Sequence, residues 1–144
     1  MRRMHGIVAV VGLLLSGALL NGVMTSASVA AEEAASEPQV ITAIFHADWC
    51  GTCKKMGPAV MDTQARYADK PVLFVKFDLT NKKTTNQSAL LASALGIGDT
   101  FKANQKTGFA LLLDGKTKEV VGKLTVDQSA QQMGATIDNR LAGK

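Results

Sequence analysis

Cys50 and Cys53 are the only cysteines in a chain of 144 residues, and they stand three apart in Trp49-Cys50-Gly51-Thr52-Cys53-Lys54. An apolar run from Ile41 to Ala47 precedes them and a helical pattern follows, so the pair falls at a strand-to-helix junction. That placement puts both sulfurs on the first turn of a helix, near enough to join in a Cys50–Cys53 disulfide. The first sulfur then faces backbone N–H groups that have no intrahelical partner, together with the positive end of the helix dipole. Both favour thiolate over thiol. Lys54 and Lys55 push the same way from solvated positions. A thiolate with a second thiol one turn away attacks a disulfide, forms a mixed disulfide, and is released by its neighbour. A pair at this spacing closes too short a loop to restrain the unfolded chain, so it serves chemistry or a ligand.

The rest of the pattern supplies a frame for that pair. Val40 to Ala47 is apolar on both alternating faces, as in an interior strand covered by helices on each side. Cys50 to about Ala68 reads as a helix, with Met56, Val60, Thr63 and Tyr67 on one stripe. Pro71 to Phe77 is a second apolar strand, so strand, helix and strand form a parallel crossover. A polar loop, Asn81 to Thr85, precedes a helix over Gln87 to Leu95 that Gly96 closes. Phe109 to Leu113 reads as a strand, Asp114-Gly115 as a turn, and Glu119 to Leu124 as an antiparallel edge strand. Thr125 and Gln128 have capping-box spacing before a final helix marked by Val126, Ala130, Met133, Ile137 and Leu141.

The N-terminus has the pattern of a secretory signal. Arg2, Arg3 and His5 precede an apolar stretch from Ile7 to Leu20, and Ala27 to Ala31 offers small residues for cleavage. Residues 1–31 are therefore expected to be removed, with the cut after Ala30 or Ala31, and residues 32–39 to form a flexible leader. An uncleaved anchor over Ile7 to Met24 is the alternative, weakened by Ser16 and Asn21. The domain would then span residues 40–144, enough for one compact unit. Losing Arg2 and Arg3 lowers the net charge from +4 to near +2. Lys54-Lys55 and Lys82-Lys83 are the only lysine doublets beyond them, which gives nucleic-acid binding no support.

Phe45-His46-Ala47-Asp48-Trp49-Cys50-Gly51-Thr52-Cys53-Lys54 resembles the active-site segment of the thioredoxin family, with His46 at a position often aromatic. Pro58 follows Cys53 by five residues, where that family places a helix-kinking proline. It has no N–H for the carbonyl of Lys54, so the helix bends there. The resemblance runs from about Val40 to the C-terminus. It implies an α/β thioredoxin-like fold: a central mixed sheet of about four strands flanked by three helices, in the order β-α-β-α-β-β-α. The first strand and helix of full thioredoxins would be missing.

Three departures from the family bear on the site. Prolines stand only at positions 38, 58 and 71, so the family's cis-proline opposite the cysteines is absent, and Thr107 or Gly108 stands nearest to its place. The family's buried aspartate is Ile44 here, which leaves its lysine counterpart, Lys76, without a carboxylate. Lys76 then either favours thiolate or merely snorkels from a strand end. The residues between the cysteines are Gly51 and Thr52 in place of Gly-Pro, which in that family tends towards a more oxidising disulfide. His46 is either a proton acceptor or third metal ligand, or a strand residue packed under the helix. The segment 97–107 is longer than its thioredoxin counterpart and has room for a short extra turn.

The expected function is thiol–disulfide oxidoreduction on exported, periplasmic or extracytoplasmic proteins, without a cofactor and as a monomer. Cys50 would be the exposed nucleophile and Cys53 the buried resolving thiol, while Trp49 shields the thiolate and offers an apolar contact. Its partners would be protein thiols or disulfides and a redox donor or acceptor. Two other readings use the same scaffold: a module binding a soft ion such as Cu or Zn through Cys50, Cys53 and His46, and a binding domain that has lost turnover.

Overall fold

The computed structural model describes residues 37–143, so the expected signal segment, the anchor alternative and residues 32–36 of the leader lie outside the described residues. Four strands, β1 (Val40–His46), β2 (Val72–Asp78), β3 (Phe109–Asp114) and β4 (Val120–Thr125), form one sheet in the order β2-β1-β3-β4. β1 runs parallel to β2 and antiparallel to β3, and β3 runs antiparallel to β4, which gives the expected mixed sheet. The helices are α1 (Gly51–Ala65), α2 (Lys82–Ala94), α3 (Gly98–Ala103) and α4 (Ala130–Leu141). Among the described residues no strand or helix precedes β1.

Alternation along β1 divides the core. Ile41, Ala43 and Phe45 pack with Ala92, Ile97 and Phe101 on the side of α2 and α3. Val40 packs with Met56, Tyr67, Met133 and Ile137 on the side of α1 and α4. Strand residues buried on both faces explain why β1 reads as a continuous apolar run. The Tyr67 hydroxyl lies 2.8 Å from the Gly134 carbonyl oxygen and 2.9 Å from a carboxylate oxygen of Asp138, sharing its one proton between them. It fastens the end of α1 to α4.

Three local outcomes differ from expectation. Among the described residues there are four helices and not three, because the segment 97–107 winds into α3 around Phe101, which is buried beside Phe45 and Phe77 at ring distances of 6.2 and 5.1 Å. α2 starts at Lys82, five residues ahead of Gln87, because Asn81 caps it. The Asn81 side chain accepts from the N–H groups of Lys83 and Thr84 at 2.9 and 3.1 Å, and the Thr84 hydroxyl accepts from the Asn81 N–H. What reads as a polar loop is a capped first turn. α4 starts after Ser129, whose pair with Gln132 forms the capping box. Gln128 does accept from the Thr125 N–H at 2.8 Å, but in the turn before the helix. Gly96 behaves as expected: it takes φ +74° after α2 while Gly96 and Ile97 donate to the carbonyls of Ser93 and Ala92.

The candidate active site at the start of α1

β1 ends one residue before a tight approach to α1. The Cys50 N–H donates to the Ala47 carbonyl at 3.0 Å, and Cys50 takes an extended conformation as the N-cap of α1. Its sulfur accepts from the Cys53 N–H at 3.0 Å, the role an oxygen plays in most helix caps. Cys50 and Cys53 are joined as a disulfide with their Cα atoms 5.2 Å apart. Sequence spacing and structure thus agree on the pairing. In this joined state both cysteines are equally buried, each 7% exposed, so the expected contrast of an exposed Cys50 and a buried Cys53 is not found. The loop carrying Gly108 lies over Cys50, which accounts for its burial.

Gly108 occupies the place opposite the pair. It has φ +92°, its N–H donates to the Phe45 carbonyl at 3.0 Å, and a β-carbon there would stand 3.7 Å from the Cys50 sulfur. The same β-carbon would come within 2.9 Å of Thr52, closer than packed atoms allow. Close approach and a left-handed backbone therefore both call for glycine. Of the two residues expected near the missing cis-proline, Gly108 makes the approach to Cys50, with Thr107 preceding it. Among the described residues every peptide bond is trans.

Trp49 is 66% exposed beside the pair, and it is held. Its Nε1–H donates to the Thr80 carbonyl at 3.1 Å, and the Asp48 N–H donates to the Thr80 hydroxyl at 2.9 Å. Thr80 is held in turn, donating its N–H to Asp78 at 2.8 Å, and the Asp78 N–H donates to Ser88. The Thr80 hydrogen bonds are the main reason the Asp78 carboxyl sits below its usual range, with His46 and Lys76 adding a smaller electrostatic pull. Thr80 and Asp78 are functional supports that the sequence reading missed. The only local signal is an Asp two residues ahead of a Thr, the spacing of an Asx turn.

A cleft of about 250 Å³ opens beside Cys53, walled by Ile44, Met56, Val60 and Met61 and rimmed by His46 and Lys76. Ile44 stands in register with Lys76 on the neighbouring strand. Lys76 is exposed, not buried as its family counterpart would be. With an isoleucine in register there is no carboxylate to offset the cost of burying an ammonium group, so the chain carries it to the rim. His46 turns towards Asp48, with Nε2 3.3 Å from a carboxylate oxygen. Among the described residues no three of His, Cys, Asp and Glu gather as a metal site. Gly51, Lys54 and Pro58 are exposed on the first turns of α1.

Comparison with known proteins follows the same lines. The family model for thioredoxin matches residues 23–93, which span the cysteine pair and β1 to α2. The match begins ahead of Val40 and stops short of β3. The chloroplastic thioredoxin-like protein HCF164 of Arabidopsis thaliana is 32% identical over 81 residues, covering 54% of this chain. The chain spans about a third of that relative's length, 31%. A thioredoxin-family thiol:disulfide interchange protein from Chlorobium tepidum superimposes with a TM-score of 0.52 at 15% identity, covering 73% of this chain and 81% of that one. A mutant thioredoxin from Halobacterium salinarum gives a TM-score of 0.46 at 23% identity, over 73% and 77% of the two chains.

Proposed function

Because the chain belongs to the thioredoxin family, we propose that it is a thiol–disulfide oxidoreductase that works through Cys50 and Cys53. The observation that carries this reading is the Cys50 sulfur at the N-cap of α1, accepting the Cys53 N–H at 3.0 Å with Cys53 within bonding reach. Once the bond is reduced, the same N–H and the helix dipole stabilise negative charge on that sulfur. Cys50 thiolate attacks one sulfur of a substrate disulfide, and the other leaves as a thiolate that takes a proton. Cys53 then loses its proton and attacks the Cys50 sulfur, closing the intramolecular disulfide and releasing the second substrate thiol. Two electrons pass from the protein to the substrate, which takes up two protons, one lost by Cys53 and one from solvent, and the reverse sequence oxidises a substrate dithiol.

The site residues take supporting roles in that cycle. Trp49 offers an apolar contact held in place by Thr80, and Gly108 brings backbone close to the attacking sulfur. We assign the activity to exported proteins, with a separate redox donor or acceptor and the chain acting as a monomer. The support for export is the N-terminal pattern over residues 1–31. The relative in Arabidopsis carries a chloroplastic designation, which is also non-cytosolic.

Reduction of insulin by dithiothreitol, followed as precipitation, tests the reading. The wild type is expected to accelerate it, Cys50→Ser to abolish the acceleration, and Cys53→Ser to accumulate a mixed disulfide visible on a non-reducing gel. Equal precipitation with wild type and Cys50→Ser would show that the pair does not exchange.

A further inference from the structure

Phe109, the residue after Gly108, borders two depressions. One is the cleft beside Cys53, and the other is a hollow of about 540 Å³ walled by Lys102, Lys106, Lys123 and the loop 103–105. No carboxylate lines either one. Lys102 shares its charge with Asp99 at 3.2 Å on the exposed face of α3. Among the described residues no carboxylate lies within ion-pair distance of Lys106 or Lys123.

These lysines are placed, not scattered. The Lys123 ammonium stands 4.4 Å over the Phe109 ring, which fixes it at the edge of the hollow. The loop is fastened to α3, because the side-chain amides of Asn104 and Gln105 donate to the carbonyls of Thr100 and Phe101 at 2.8 and 2.6 Å. Lys106 therefore projects from fixed backbone two residues ahead of Gly108, where the chain meets Thr52 and Cys50. Three lysines border one hollow, and two of them, Lys106 and Lys123, have no carboxylate partner among the described residues, so an anion entering it meets net positive charge. The segment 97–107, longer than the family's, supplies two of the three.

We propose that this lysine-walled hollow receives an acidic stretch of the polypeptide whose disulfide Cys50 attacks, so that the preferred substrates are disulfides flanked by Asp or Glu. The inference rests on the exchange reading given above and adds the class of substrate. Solvent-exposed pairs of this kind each contribute a factor of about two to five, and salt screens them. The two unpaired lysines, Lys106 and Lys123, together amount to roughly a ten-fold preference at low ionic strength, expressed mainly in the rate of encounter.

The test uses the fully reduced protein as a stoichiometric reductant of two peptides that differ only in three Glu or three Lys beside a disulfide. In each reaction the Cys50–Cys53 bond forms, the peptide's S–S bond breaks, and two electrons and two protons move to the peptide. The Glu peptide is expected to react about ten times faster in roughly 20 mM salt, with the ratio falling below about two near 0.5 M. In Lys106→Gln/Lys123→Gln the low-salt ratio should shrink to about two, while the rate with uncharged dithiodipyridine stays unchanged. If losing the ammonium over Phe109 unfolds the double variant, Lys106→Gln alone, on an exposed loop, gives a smaller drop in the same direction. Equal rates for the two peptides at low salt, or a preference that survives removal of the lysines, overturn the charge assignment and leave exchange intact. If neither peptide is reduced, the exchange reading itself falls and takes this one with it.

Discussion

Gly108 and Thr52 meet across the disulfide: a β-carbon on Gly108 would stand 2.9 Å from both Cβ and Cγ2 of Thr52. Neither atom is the far end of a flexible side chain, so the contact cannot relax cheaply. Gly108→Ala is therefore expected to destabilise the domain by roughly 1–3 kcal/mol, combining the clash with an L-residue held at positive φ. Thr52→Gly removes the obstacle and should restore the steric share only, because the backbone strain remains. A double-mutant cycle in denaturant reads the coupling between the two positions, and simple additivity would sink the account.

Tyr67 sets the alkaline limit. Burial and then the Asp138 carboxylate beside it push its hydroxyl up from 10.0 to about 12. The folded state thus holds the proton after the unfolded chain has released it. The stability this contributes is fully present below pH 10 and is lost as pH rises to about 12, amounting to roughly 2–3 kcal/mol. Tyr67→Phe lacks the proton and should show no loss from this source, while starting about 1 kcal/mol less stable at neutral pH. Urea titrations of both proteins between pH 8 and 12 give the comparison.

Thr42 is a site for improvement. It is fully buried in β1, and its hydroxyl oxygen has no hydrogen-bond partner among the described residues. A buried hydroxyl without a partner costs about 1–3 kcal/mol relative to a satisfied one, and valine has nearly the same shape. Thr42→Val is expected to raise the midpoint of thermal unfolding by several degrees without altering exchange activity. A lowered midpoint would mean that the hydroxyl has a partner such as a buried water.

Asp78 links acid stability to the indole of Trp49. Its carboxyl lies below its usual value of 3.8, chiefly through the hydrogen bonds with Thr80. A depressed value means stability that is present above pH 3.8 and is lost as pH falls through the folded value. Asp78→Ala should cost about 1 kcal/mol near pH 7, and the gap from wild type should close as both proteins are taken below that range. A gap that is constant with pH would assign the effect to packing and not to charge.

The strands were legible in the sequence because both faces of β1 and β3 are covered, which turns buried strands into apolar runs such as Phe109 to Leu113. The cysteine pair was legible because its chemistry depends on spacing within one turn. The start of α2 was not, since Asn81 to Thr85 satisfies backbone groups with polar side chains and leaves no apolar period to read. Thr80 was missed for a different reason: it reaches Asp48 and Trp49 from 32 and 31 residues away, a separation that no local pattern reports. The equal burial of Cys50 and Cys53 likewise depends on Gly108, which arrives at the start of β3, the neighbour of β1, from far along the chain.

Trp49 is the single tryptophan of the chain, it directly precedes Cys50 in sequence, and a hydrogen bond to Thr80 holds its indole in place. Disulfides quench indole emission at short range, so the protein carries its own optical gauge. Whether the sulfurs are bonded or separate can be followed as ultraviolet fluorescence, in real time and without attaching a dye.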